Sequence, residues 1–317
     1  MKKTSITLII IASILTIIGL VLLFLGIKDN SFRKTDPDLH ETEYSITESF
    51  TNLSVNAKSG DILIHKSNED TSRVVCTESD KLYYNVDVSD NTLTINYVDE
   101  RDFVEKLAYT SFNYHIDIYL GNSVYNNLDI NNTTGDVSSP AGLSFKNVNI
   151  HSTTADISFM SECSEKMTIK ATTGDINLSG FNTKELYIDF TTGDLSLSNI
   201  NVSDNITVKQ TTGKSSYNHI RCTNFSHTSY TGKTTLNDLI VSSKLYIHKT
   251  SGDINFTNCD AKEIIFELTT GDVEGSFLTP KHFDVHSTTG DVNVPNTNGD
   301  PCTISVTTGY INITINN

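Results

Sequence analysis

Seven aspartates fall into one periodic column: Asp136, Asp156, Asp175, Asp194, Asp253, Asp272 and Asp291. Lys214 and Lys233 take the two places between, and successive members stand 19 or 20 residues apart. If each repeat forms one layer of a stacked β structure, these side chains recur every ~4.8 Å. Two carboxylates at that distance repel by about 0.9 kcal/mol in water, and by several-fold more at a surface dielectric near 20. Two chemistries could offset this. A calcium ion would need six to eight oxygen ligands. Alternatively, each carboxylate could accept backbone N–H groups within its own turn. One carboxylate per repeat, with no second acidic column beside it, supplies few oxygens. The sequence therefore favours a structural turn ladder, and no metal site is expected.

A second group lies where the repeat is least regular, between Gly213 and Leu236: Lys214, Tyr217, His219, His227, Tyr230 and Lys233. His227 takes a place that is apolar in the other repeats, and Ser215 and Thr234 take one that is aliphatic in most of them. Residues that break a fold's own rules mark candidate ligand patches, and a merely degenerate repeat is the plainer reading. No G-x-S-x-G, H-E-x-x-H or phosphate-loop motif occurs, so no catalytic residue and no cofactor are assigned. The cysteines Cys76, Cys163, Cys222, Cys259 and Cys302 are odd in number and lack any C-x-x-C spacing. They read as buried thiols.

The elements that position these residues follow from the period. Thr-Thr-Gly-Asp or a close variant places its glycine, or a substitute, at Gly135, Ala155, Gly174, Gly193, Gly213, Gly232, Gly252, Gly271, Gly290 and Gly309. An earlier copy, Ser59-Gly60-Asp61, precedes Gly135 by 75 residues. Seven residues before the turn stand Leu53, Leu128, Val148, Met167, Leu186, Ile206, Phe225, Leu245, Ile264, Phe283 and Cys302. Five before it stand Val55, Ile130, Ile150, Ile169, Ile188, Val208, His227, Ile247, Phe266, Val285 and Ile304. Four before it the residues are polar, from Asn131 to Ser305. Alternation at every step is the period of half-buried strands. One such coil cannot bury its inner face alone, so the coils must stack. The sequence predicts an all-β fold: a single-stranded β-solenoid (β-helix), right-handed by the crossover rule, of about ten coils of 19–20 residues. Residues 71–127 lack the motif but still alternate, with Asp90-Asn91 as a hairpin turn.

Lys2 and Lys3 precede an uncharged stretch from Thr4 to Ile27. As a helix it would span roughly 36 Å, enough to cross a bilayer. Its length and the lack of a small-x-small site favour an uncleaved transmembrane anchor over a signal peptide. The lysines favour an inside N-terminus. The expected organisation is a cytoplasmic tip and anchor at 1–28, a linker at 29–42, an irregular β cap at 43–127 and the regular solenoid at 128–317. With 38 acidic and 23 basic residues the net charge is −15, which argues against a nucleic-acid partner.

An N-terminal anchor followed by Thr-Thr-Gly-Asp-Ile repeats at this spacing resembles a bacterial family of membrane-anchored β-strand-repeat proteins named as adhesins. The resemblance covers roughly residues 45–315, and the family includes a membrane-anchored Lia-operon protein. It implies a single-pass protein of the cell membrane with its C-terminal domain extracytoplasmic. Its role would be adhesion or envelope-stress sensing, with a protein or cell-surface glycan as partner, and the family brings no catalytic motif. The rival readings are a carbohydrate-active β-helix lyase or hydrolase, and a polymer-forming membrane scaffold.

Overall fold

The computed structural model describes residues 39–102 and 114–316, and every regular element among them is a β-strand. The expected anchor at 1–28 and most of the linker at 29–42 lie outside the described residues. The first strand, His40–Ile46, begins inside the segment read as linker. No described helix is long and apolar enough to cross a membrane.

The alternating pattern produces the strands, and register produces the core. In Glu162–Thr173, Met167 and Ile169 are fully buried while Lys170 faces water. Met167 pairs with Leu186 and Ile169 with Ile188, and Leu186 and Ile188 pair onward with Ile206 and Val208. Each column is thus a stack of aliphatic side chains, and burying one of them fully contributes ~1.5–3 kcal/mol. The turn glycines stack as well. Gly193 has φ 143°, and a Cβ there would lie 2.0 Å from the Gly174 carbonyl oxygen, so this turn requires glycine; Ala155, which stands in the same column, is not among the positive-φ residues. A second corner recurs six residues later: Asn199, His219, Asp238 and Asn258 all have φ 54°. Asn, Asp and His tolerate this left-handed region better than other residues with a side chain.

Level order departs from chain order at both ends. Gly60 sits directly beneath Gly135, with Leu53 paired to Leu128 and Val55 to Ile130. Asn52–Lys66 therefore already belongs to the regular stack, and the division at 127/128 does not coincide with the fold. The 75-residue interval is an excursion that builds the level below: Leu93 and Ile95 pair with Leu53 and Val55, and Ile116 and Ile118 with Ile62 and Ile64. Antiparallel strands then close that end, so this part of the fold is not a single-stranded solenoid. Leu82–Ser89 runs back along Thr92–Asp99 through a hairpin whose Asp90 and Asn91 are both left-handed. Ser72–Glu78 lies between His115–Leu120 and His40–Ile46.

At the other end the last two levels are exchanged. Ile264 and Phe266 pair with Cys302 and Ile304, which pair in turn with Phe283 and Val285. The stacking order is Gly252, Gly271, Gly309, Gly290, so the C-terminal strands are inserted between two earlier coils. The chain crosses itself where Gly299 meets Pro280: a Cβ on Gly299 would lie 1.9 Å from the Pro280 carbonyl oxygen. Lys281 fastens this crossing. Its buried ammonium lies 2.5 Å from Asp260 Oδ1 and 3.6 Å from Asp300 Oδ2, and it donates to the Ala261 carbonyl at 2.8 Å.

Candidate functional site

The aspartate column is resolved by its hydrogen bonds. Asp156 N–H donates to Asp136 Oδ1 at 2.9 Å, Asp175 N–H to Asp156 at 2.7 Å, and Asp194 N–H to Asp175 at 2.7 Å. Lys214 N–H donates to Asp194, and Asp272 N–H to Asp253. Each of these carboxylates thus accepts from the next level, not from its own turn. The acceptor faces a polarised N–H where a bare column would face another charge, which offsets the repulsion. The exchange of levels shows here too. Asp272 accepts from Tyr310 N–H at 2.9 Å, across 38 residues of sequence, and Asp291 belongs to the end level.

The six residues of the irregular repeat do not form one patch. Tyr217 and His227 are fully buried inside the solenoid, their rings 5.6 Å apart. Lys214 and Lys233 stand exposed in the turn column, and His219 occupies a left-handed corner, 4.0 Å from Asp238. Tyr230 is 61% exposed and lies on the face that precedes the turn.

Inside these levels is a polar nest, of which the sequence showed Ser215, Tyr217, His227 and Thr234 but not Gln210, Ser229 and Lys249. Lys249 Nζ donates to Thr234 Oγ1 at 2.8 Å, Gln210 Nε2 to the Gly193 carbonyl at 2.8 Å, and Ser215 Oγ to Gln210 Oε1. Both His227 ring nitrogens, Tyr217 Oη and Ser229 Oγ find no hydrogen-bond partner among the described residues. Burial, with the neighbouring Lys249 ammonium, holds the His227 imidazole down at about 3. Burial likewise lowers Lys249 to about 8, against the opposing pull of Asp253. The missed signal was the position three residues before each turn, which also points inward: Gln210, Ser229 and Lys249 occupy it on successive levels. All five cysteines are free and buried, and burial pushes the thiols of Cys222, Cys259 and Cys302 up to about 12. At neutral pH they are inert.

Among the described residues, a shallow groove lies on the face carrying the columns four and two residues before the turn. Asp189, Lys209, Thr228 and His248 line one side of this groove of about 330 Å³, and Thr211, Tyr230 and Thr250 line the other. Tyr230 replaces the threonine found at that place in the adjoining coils. A similar groove of about 400 Å³ lies nearer the other end, where Tyr97 stands beside Asn131, His151 and Thr153. Among the described residues lining the Tyr230 groove, Asp189 is the one carboxylate, and it accepts from Tyr187 Oη at 3.0 Å. Glycoside cleavage uses two carboxyl groups facing one bond. An exposed aromatic ring among hydroxyl, amide and cationic groups instead suits holding a sugar ring or a polar chain.

Comparison with known proteins supports the fold. A protein of Parabacteroides distasonis named "putative lipid binding protein" is 14% identical, with a TM-score of 0.50 over 76% of this chain and 95% of that one. A Bacteroides fragilis protein named "putative adhesin" is 14% identical, with a TM-score of 0.43 over 88% and 98%. Another so named, from Parabacteroides merdae, is 12% identical, with a TM-score of 0.45 over 87% and 97%. No curated protein matches the chain. The Toastrack DUF4097 pattern matches residues 50–214 and 203–317, nearly the whole of the described stack, and the chain belongs to the Toastrack DUF4097 family.

Proposed function

We propose that this protein is a non-catalytic extracytoplasmic solenoid, held at the cell membrane by the uncharged stretch Thr4–Ile27, that engages a cell-surface glycan through its long face in adhesion or envelope sensing. The observation that carries this reading is the Tyr230 groove, an aromatic ring standing out of an in-register field of threonine, lysine and histidine. Neighbours named as adhesins are consistent with a role that needs no catalysis. The enzyme reading lacks a facing carboxylate in that groove. The scaffold reading needs two open ends, and the first level is closed by antiparallel strands.

The test is retention of the full-length chain, in detergent, on isolated cell-wall glycan. Tyr230→Ala is expected to weaken retention about tenfold, within the ~1–3 kcal/mol range typical of losing one stacked ring, while leaving the melting temperature unchanged. Equal retention of the two proteins would sink the reading.

A further inference from the structure

We propose that the open end of the solenoid is a self-association surface. In this arrangement the strand Lys281–Thr289 pairs antiparallel with the same strand of a second copy, across a two-fold axis at Val285. The proposal goes beyond the glycan-binding reading and does not depend on it.

Four observations carry it. First, the strand is an edge. On one side it pairs with Asp300–Thr308, and among the described residues no strand pairs with its other side. The Thr289 carbonyl accepts from Gly309 N–H, and the Asp291 carbonyl from Ile311 N–H, both at 2.9 Å. Backbone groups alternate along a strand, so those of His282, Asp284, His286 and Thr288 point to the free edge. Second, the end level leaves core positions uncovered. Val292 is 44% exposed, whereas Val273 and Ile311 in the same column are at most 1% exposed. Phe283 and Val285 are half-buried where the equivalent Ile264 and Phe266 are fully buried.

Third, the outward residues of the edge complement themselves. With Val285 on the axis, Asp284 of each copy lies directly opposite His286 of the other, and these two residues are ones whose N–H and C=O groups are free to exchange hydrogen bonds. Moving the axis to Asp284 would set carboxylate against carboxylate, which is unfavourable at a cross-strand position. Fourth, the opposite end of the stack is covered by Leu82–Ser89, Ser72–Glu78 and His40–Ile46. The two ends are therefore unlike: the outermost strand there, His40–Ile46, is an antiparallel addition paired, among the described residues, with Ser72–Glu78 alone and is no counterpart of Lys281–Thr289, so the Lys281–Thr289 end meets its own copy, which closes a two-fold pair. Rotation about an axis normal to this strand keeps the sheet continuous and lays one uncovered core end over the other.

The experiment is the mass of the full-length chain in detergent, measured by sedimentation. A dimer is expected. Asp284→Lys and His286→Asp should each weaken it about tenfold, because each spoils two symmetry-related cross-strand pairs. The double variant Asp284→Lys/His286→Asp should restore it, since a lysine then faces a carboxylate across each pair. Both side chains are exposed, so the fold should tolerate the changes. Val285→Cys should form a disulfide between copies under mild oxidation, because the native cysteines are buried. A monomer, or a dimer indifferent to both single substitutions, would overturn the proposal. Failure of the double variant to recover would overturn the Val285 register.

Discussion

His227 illustrates how a residue's chemistry depends on which side of the strand it takes. Outside, it would be an ordinary imidazole. Inside, it stacks in register between Val208 and Ile247, with neither ring nitrogen hydrogen-bonded to the described residues. Its folded-state value of about 3 lies below the unfolded 6.5. The stability linked to its neutral form is therefore fully present above pH 6.5 and is lost as pH falls toward 3. By pH 5 the unfolded chain binds a proton that the folded chain refuses, at a cost of about 2 kcal/mol. Leucine fits the column and needs no partner. We expect His227→Leu to gain roughly 1–3 kcal/mol at pH 7 by removing unsatisfied polar atoms, and to gain more at pH 5. Denaturant midpoints at the two pH values check this; a loss of stability, or an unchanged pH dependence, would count against it.

The aspartate ladder yields a second residue-scale prediction. Asp175 works by accepting Asp194 N–H, so Asp175→Asn keeps an acceptor and should cost little. Asp175→Ala should cost about 1 kcal/mol. If the ladder needs no ion, the melting temperature should be the same in millimolar calcium and in excess chelator. A bound ion at a hundredfold its dissociation constant would instead raise stability by about 2.7 kcal/mol.

At the scale of the element, much of a single level was legible in the sequence. The apolar columns from Leu53 to Cys302 and from Val55 to Ile304, the turn at the glycine and the hairpin at Asp90-Asn91 all follow from alternation and turn chemistry. Three features were not legible. The left-handed corner at Asn199, His219, Asp238 and Asn258 has no fixed residue type, so the sequence did not show that His219 stands at a bend. The ladder's direction was missed because an aspartate beside a turn glycine signals a turn acceptor without saying which level supplies the donor. Neighbour order was missed for a deeper reason. Every level presents the same inward columns, so the period encodes the shape of a level but not its position in the stack. The clue to the exchange lies in the odd residues at the crossing. Lys281, Asp300, Pro280 and Gly299 fit no column and are explained by the latch they form. Lys281→Met removes the buried cation and leaves Asp260 without its ion-pair partner. Amide exchange should then speed up across Lys281–Thr289, Asp300–Thr308 and Ile311–Ile315, while Glu162–Thr173 stays protected. Uniform loosening of the whole stack would show that Lys281 does not act as a local latch.

At the scale of the whole molecule, the levels from the excursion near Tyr114 to Gly290 form a rod about 50 Å long at ~4.8 Å per level. In an ordinary solenoid the chain ends lie at the ends of the rod, where strands fray. Here Asp300–Thr308 lies between two earlier coils, so the outermost level at that end, Lys281–Thr289, is held by strands on both sides of it in sequence, while the opposite end is bounded by the first described strand, His40–Ile46, paired with Ser72–Glu78. If residues 1–28 anchor the chain with its N-terminus inside, protease added to wall-stripped cells should digest the region from residue 30 onward. Full protection would reverse the proposed orientation.

The central structural claim is the exchanged order of levels, because it decides which end is open and which is closed. Outward-facing residues report it directly. Glu267 pairs with Ser305, and His286 also pairs with Ser305, which places Glu267 and His286 two levels apart. Neighbouring Cα atoms ~4.8 Å apart can be bridged by a disulfide, and atoms twice as far apart cannot. Under mild oxidation the double variant Glu267→Cys/Ser305→Cys should form an intramolecular disulfide, read as a two-dalton loss in intact mass, and Glu267→Cys/His286→Cys should not. The reverse result, a bridge from 267 to 286 and none from 267 to 305, would mean that the levels stack in chain order and would contradict the account.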